Sequence, residues 1–131
     1  MALKSNMSIL ICEKDKNSKA MIKSVINSIG FKNITFTDDL RITASSIATN
    51  LKEDPFELVI INGDEDKDSL KMLVQLISKC PSKVQPKLLA VISDSNQKLI
   101  VSLIQLNIKH LIVRPFNKDQ FIEKIANIFN Q

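Results

Sequence analysis

Four short apolar runs punctuate the chain without alternating with polar residues: SILIC (8–12), ELVII (57–61), LLAVI (88–92) and HLIV (110–113). A strand that is apolar on both sides must be covered on both faces, which predicts parallel strands within a sheet flanked by helices. A fifth run, NITFT (33–37), does alternate and predicts an edge strand. Between the runs, apolar residues recur at helical spacing. Met21, Val25 and Ile29 lead to Gly30, a C-terminal stop, and Leu40, Ala44, Ile47 and Leu51 lead towards Pro55, which cannot continue a helix. Leu70, Leu73 and Ile77 follow Ser69, an expected N-cap; residues 96–107 form a fourth segment, and Phe121, Ile125 and Ile128 mark a fifth.

Strand followed by helix, five times over, predicts an α/β fold with right-handed crossovers and helices on both faces of the sheet. The natural candidate is a doubly wound, five-stranded parallel sheet of order 2-1-3-4-5 in a three-layer sandwich. With 131 residues, the chain suits one domain over 8–131, preceded by a polar tail at 1–7.

Composition narrows the function classes. Hydrophobic residues make up 44% and charged residues 24%, the balance of an ordinary globular protein. No apolar run reaches membrane-spanning length and the opening residues are too short and polar for a secretion signal, so a cytoplasmic protein without membrane contact is expected. Cys12 and Cys80 have neither zinc-site spacing nor disulfide density and are expected as reduced thiols. The formal charge is +4, but Lys14, Lys16, Lys19 and Lys23 lie among polar residues, and Trp and Tyr are absent. A solvated helix face explains these lysines better than nucleic-acid binding by this chain. Only two glycines occur, Gly30 and Gly63, with no phosphate-cradling loop, which disfavours a small nucleotide- or flavin-binding enzyme.

In a sheet of this order the site lies beyond the strand carboxyl ends, near the switch between the first and third strands. Those ends deliver Glu13, Lys14 and Asp15; Asn62; Ser93; and Arg114-Pro115-Phe116. With these residues, the chain from about Ser8 to Phe129 resembles the CheY-like receiver domain of bacterial two-component signalling, a relative of the flavodoxin-like folds. The resemblance implies an acidic pair at Glu13 and Lys14, a phosphoacceptor at Asn62, a hydroxyl at Ser93, a lysine at Arg114 and a switch aromatic at Leu111. Only the hydroxyl is kept in kind without reservation. The loop GDEDKDS also lacks the family's usual proline.

These departures change the chemistry. Receiver phosphorylation, as the resemblance implies it, needs a carboxylate oxygen to attack a phosphodonor beside Mg²⁺. Asn62 offers no anionic oxygen, and Glu13 is the main anionic donor left for a metal, so cofactors are expected to be absent and Mg²⁺ binding weak or absent. Lys14 or Arg114 is expected to approach Glu13 and the Asn62 carbonyl, supplying the cation from the protein itself. Asp64 and Asp66 read as a solvated acidic loop, His110 as a strand-entry residue, and Asn62-Gly63 as a deamidation-prone dipeptide whose amide nonetheless persists.

The expected function is therefore that of a degenerate, non-enzymatic receiver acting through protein contacts. The alternatives are a conventional phosphorylatable regulator with an altered site or, less favoured, a small flavodoxin-like ligand binder. The fourth helical segment carries more apolar residues than one buried face needs. Ile100 and Ile104 are expected against the sheet, with Leu99, Leu103 and Leu106 forming a partner surface. By resemblance, a protein partner or second copy would dock on the fourth helix, fifth strand and fifth helix.

Overall fold

The computed structural model describes residues 6–94 and 96–130. Ten elements alternate along the chain: β1 (Ile9–Cys12), α1 (Lys16–Ile29), β2 (Ile34–Thr37), α2 (Leu40–Asn50), β3 (Leu58–Asn62), α3 (Lys67–Lys79), β4 (Lys87–Ile92), α4 (Gln97–Gln105), β5 (Leu111–Val113) and α5 (Lys118–Phe129). The strands form one sheet in the order β2-β1-β3-β4-β5. Every neighbouring pair is parallel. The predicted architecture is the observed one, and the alternating run 33–37 is the edge strand.

The non-alternating runs are buried because each sheet face has its own core. On one face Ile9, Ile11, Leu58, Ile60, Leu89 and Val91 pack against Ile22 and Ile26 of α1 and Phe121, Ile125 and Ile128 of α5. On the other, Leu10, Cys12, Val59, Ile61, Ala90 and Ile92 pack against α2, α3 and Leu103 of α4. Burying each such aliphatic side chain contributes roughly 1.5–3 kcal/mol, so the central strands are held firmly in register.

Helix ends follow local chemistry. Asp15, Asp39, Asp66, Asn96 and Asn117 cap α1 to α5, each side chain accepting from an amide in the first turn. The α3 cap is thus Asp66 rather than Ser69, whose backbone N–H is the donor to Asp66 at 3.1 Å. Three residues earlier, the acid reaches the free amides that Ser69, already inside the helix, cannot serve.

The expected orientation of α4 is corrected. Leu103 is only 1% exposed, whereas Ile104 is 55% exposed. Leu99, Ile100 and Leu106 are partly buried against the core. The helix ends in a Schellman turn: Ile108 N–H donates to the Leu103 carbonyl at 2.9 Å and Asn107 N–H to that of Ile104 at 2.8 Å. Asn107 takes the left-handed conformation, with φ 69°. Ile108 and Leu103 are both buried in the same apolar core, as the motif favours, while Val101 and Ile104 are exposed.

Candidate functional site

Parallel pairing brings the carboxyl ends of β1, β3, β4 and β5 to one rim. Beyond Cys12 the chain stays tied to the sheet, since Glu13 N–H donates to the Thr37 carbonyl at 3.1 Å. Gly63 N–H donates to the Val91 carbonyl at 2.8 Å, and Arg114 N–H to that of Ile92 at 2.9 Å. The close approach at Gly63 requires glycine: a Cβ there would lie 2.7 Å from Ile92 Cγ2 and 3.2 Å from Leu103 Cδ1.

Glu13 is the centre of the rim and is 2% exposed. Its Oε2 accepts from Asp15 N–H at 3.2 Å and from Asn62 Nδ2 at 3.3 Å. Its Oε1 faces Arg114 Nη1 at 3.5 Å. The same guanidinium places Nη2 3.5 Å from Asp64 Oδ2, so one cation stands between two carboxylates. Asp64 Oδ2 also accepts from Ser93 N–H at 3.2 Å.

The amide at the end of β3 is used at both ends. Asn62 Nδ2 donates to Glu13, and Asn62 Oδ1 accepts from Asp64 N–H at 2.8 Å in an Asx turn. Reversing the amide would set oxygen against carboxylate and donor against donor, so this orientation is the one that satisfies both neighbours. An aspartate here would place a second anionic oxygen beside buried Glu13. An amide removes that repulsion.

Of the residues expected at the site, Glu13, Asn62 and Arg114 come together. Lys14 does not join them: its side chain is exposed and its Nζ lies 3.8 Å from Glu65 Oε1. Of the two cations expected near Glu13, Arg114 is the one that arrives. It does so beside Asp64, and the Asn62 carbonyl is taken by Asp64 N–H instead. Ser93 contributes its backbone N–H, with the residue itself exposed. Leu111 packs with the apolar core on the α2, α3 and α4 side.

Asp64 is exposed, as a solvated loop implies, but its carboxylate is also held by Ser93 N–H and Arg114, just past the ends of β4 and β5. The signal for it was Asn62 two residues earlier, since an Asx turn folds residue 64 back over the strand end. Cys12 is a packed thiol whose pKa is pushed up chiefly by burial, with hydrogen bonds to Thr43 and Thr37 pulling the other way. Both cysteines are free.

The donor set does not fit Mg²⁺ well. A hard divalent ion needs several free oxygens in near-octahedral array. Here Glu13 Oε2 already accepts two hydrogen bonds, Oε1 has no hydrogen-bond partner but faces the Arg114 cation at 3.5 Å, and Asn62 Oδ1 is occupied. Among the described residues no group of three or more His, Cys, Asp or Glu is arranged to hold a metal.

No family model and no curated protein sequence matches the chain. Solved structures do match by shape. A mutant of the receiver domain of the histidine kinase CKI1 from Arabidopsis thaliana superposes with a TM-score of 0.77 at 13% identity, over 95% of this chain and 91% of that one. The receiver domain of the sensor histidine kinase PA1611 from Pseudomonas aeruginosa, which holds a magnesium ion in its active-site cleft, gives 0.74 at 13%, over 96% and 99%. The chemotaxis protein CheY4 of Vibrio cholerae gives 0.72 at 11%, over 94% and 98%. These are likenesses of fold: the chain has the receiver-type α/β architecture. No helix among the described residues is long and apolar enough to cross a membrane.

Proposed function

We propose that the chain is a receiver-like module of two-component signalling that is not phosphorylated at Asn62 and acts through protein contacts. One observation carries this reading: Arg114 lies between Glu13 and Asp64, while Asn62 is hydrogen-bonded at both ends of its amide. An amide nitrogen, its lone pair delocalised into the carbonyl, is no nucleophile towards a phosphodonor. The guanidinium removes the electrostatic demand for a divalent ion, so Mg²⁺ binding is weak or absent. In this reading the module is cytoplasmic, has no catalytic activity of its own, and works as a surface whose shape is set by the fold. Its partner, or a second copy, docks on α4, β5 and α5, where Val101, Ile104 and Val113 offer exposed apolar side chains.

The test is incubation with acetyl phosphate and Mg²⁺, followed by intact-mass measurement and peptide mapping. The proposal expects an unmodified chain. A stoichiometric acyl phosphate would reject it.

A second reading rests on Asp64, the carboxylate held by Ser93 N–H and Arg114. In that reading Asp64 takes the phosphoryl group in place of Asn62. The first reading is preferred because Asp64 Oδ2 is already engaged by those two donors, and peptide mapping that places phosphate on residue 64 would reverse the preference.

A further inference from the structure

At the end of the sheet away from the strand carboxyl ends lies a hollow of about 250 Å³. It forms where the last turn of α3, the entry to β4 and the loop between α4 and β5 converge without closing. After the Schellman turn that ends α4, residues 107–110 line one side of the hollow before β5 begins.

The lining has one sign of charge. Lys87, Lys109 and His110 line the hollow beside uncharged Ser78, Gln85 and Asn107 and apolar residues such as Ile77 and Leu88, and among the described residues no carboxylate lines it. Lys124 on α5 adds to the positive potential at His110. The nearby acid Glu57 lines a separate hollow, which it shares with Lys83 and Lys87. None of the residues at the opposite rim contributes.

We propose that this hollow is an anion site for a compact phosphate, the size of a phosphate or diphosphate group, held by Lys87, Lys109 and His110. The volume is that of roughly eight waters, below the usual range for sites that enclose whole organic ligands. It admits the anionic group and leaves any attached moiety outside. Concave walls with a low dielectric focus the field of the cations into the space, which favours a multivalent anion over a monovalent one.

His110 is the only histidine, so its ring protons report on the hollow without assignment. Burial, then Lys124, Lys87 and Lys109, hold its pKa below the ordinary value of 6.5. The experiment is proton NMR titration of His110 with and without sodium diphosphate, against sodium chloride at equal ionic strength. A bound anion is expected to raise the midpoint saturably by roughly half a unit or more beyond the chloride control. The Lys87→Gln, Lys109→Gln double variant is expected to lose most of that extra rise; the two single variants serve if the double variant misfolds. An equal rise in chloride, or an unchanged response in the variants, overturns the proposal.

Discussion

Replacing Arg114 with glutamine removes the cation that faces Glu13 while keeping a polar side chain of similar reach. Glu13 is 2% exposed and its Oε1 lies 3.5 Å from Arg114 Nη1. At an effective dielectric of about 20, the gross attraction over that distance is on the order of 5 kcal/mol. Desolvation offsets much of it, and Arg114 keeps partial contact with water. The donors from Asp15 and Asn62 also remain on Oε2. We therefore expect a net loss of about 2 kcal/mol, less than for a wholly buried pair. The chain lacks Trp and Tyr, so urea unfolding is best followed by far-ultraviolet circular dichroism. For a domain of this size the loss corresponds to a melting temperature lower by roughly 8 °C. Combining Arg114→Gln with Glu13→Gln should recover about 1 kcal/mol or more, because the second change removes the stranded charge. A loss under about 0.5 kcal/mol, or strict additivity in the double variant, would refute the claim that these groups are energetically paired.

Gly63→Ala is expected to cost roughly 1–3 kcal/mol in the same unfolding assay, since the new methyl meets Ile92 Cγ2 at 2.7 Å; a neutral result would show that the rim yields. Leu103→Ala should cost about 3 kcal/mol by opening the core, whereas Ile104→Asp should stay within roughly 0.5 kcal/mol, and the reverse order would contradict the rotation of α4. His110, held below its ordinary 6.5 by burial and three lysines, binds its proton more weakly folded than unfolded. Its contribution to stability is therefore full above roughly pH 6.5 and is lost as the pH falls through the lower folded value. Stability curves of the protein and of His110→Gln between about pH 5 and 7 should differ by that slope, and parallel curves would count against it.

Much of the fold was legible because its signals are local and redundant. The apolar runs at 8–12, 57–61 and 88–92 leave no polar face to expose, so only a covered parallel sheet accommodates them. Gly30 marks the exit of α1 in the left-handed conformation, whereas α2 already ends at Asn50, five residues before Pro55. What the sequence hid is what depends on a few degrees of rotation or on a single turn. In α4, Leu99, Ile100, Val101, Leu103 and Ile104 give more than one apolar face, and periodicity alone does not say that Leu103 faces inward and Ile104 outward.

The same holds at the rim. The strand ends named Glu13, Asn62, Ser93 and Arg114 in advance, because sheet topology alone brings them to one edge. Asp64 was missed because an acidic loop is usually solvated, and the Asx turn that folds it back is a feature of a single side chain. Lys14 is the other cation named for Glu13; its side chain, just past β1, is exposed and its Nζ lies by Glu65.

If Arg114 supplies the positive charge beside Glu13, a divalent ion has little to neutralise there. Magnesium titration followed by heteronuclear NMR addresses this directly, with the amides of residues 13–15 and 62–64 as reporters. The account predicts small, non-saturating shifts up to tens of millimolar Mg²⁺. Saturable shifts at those amides with millimolar or tighter affinity would contradict it.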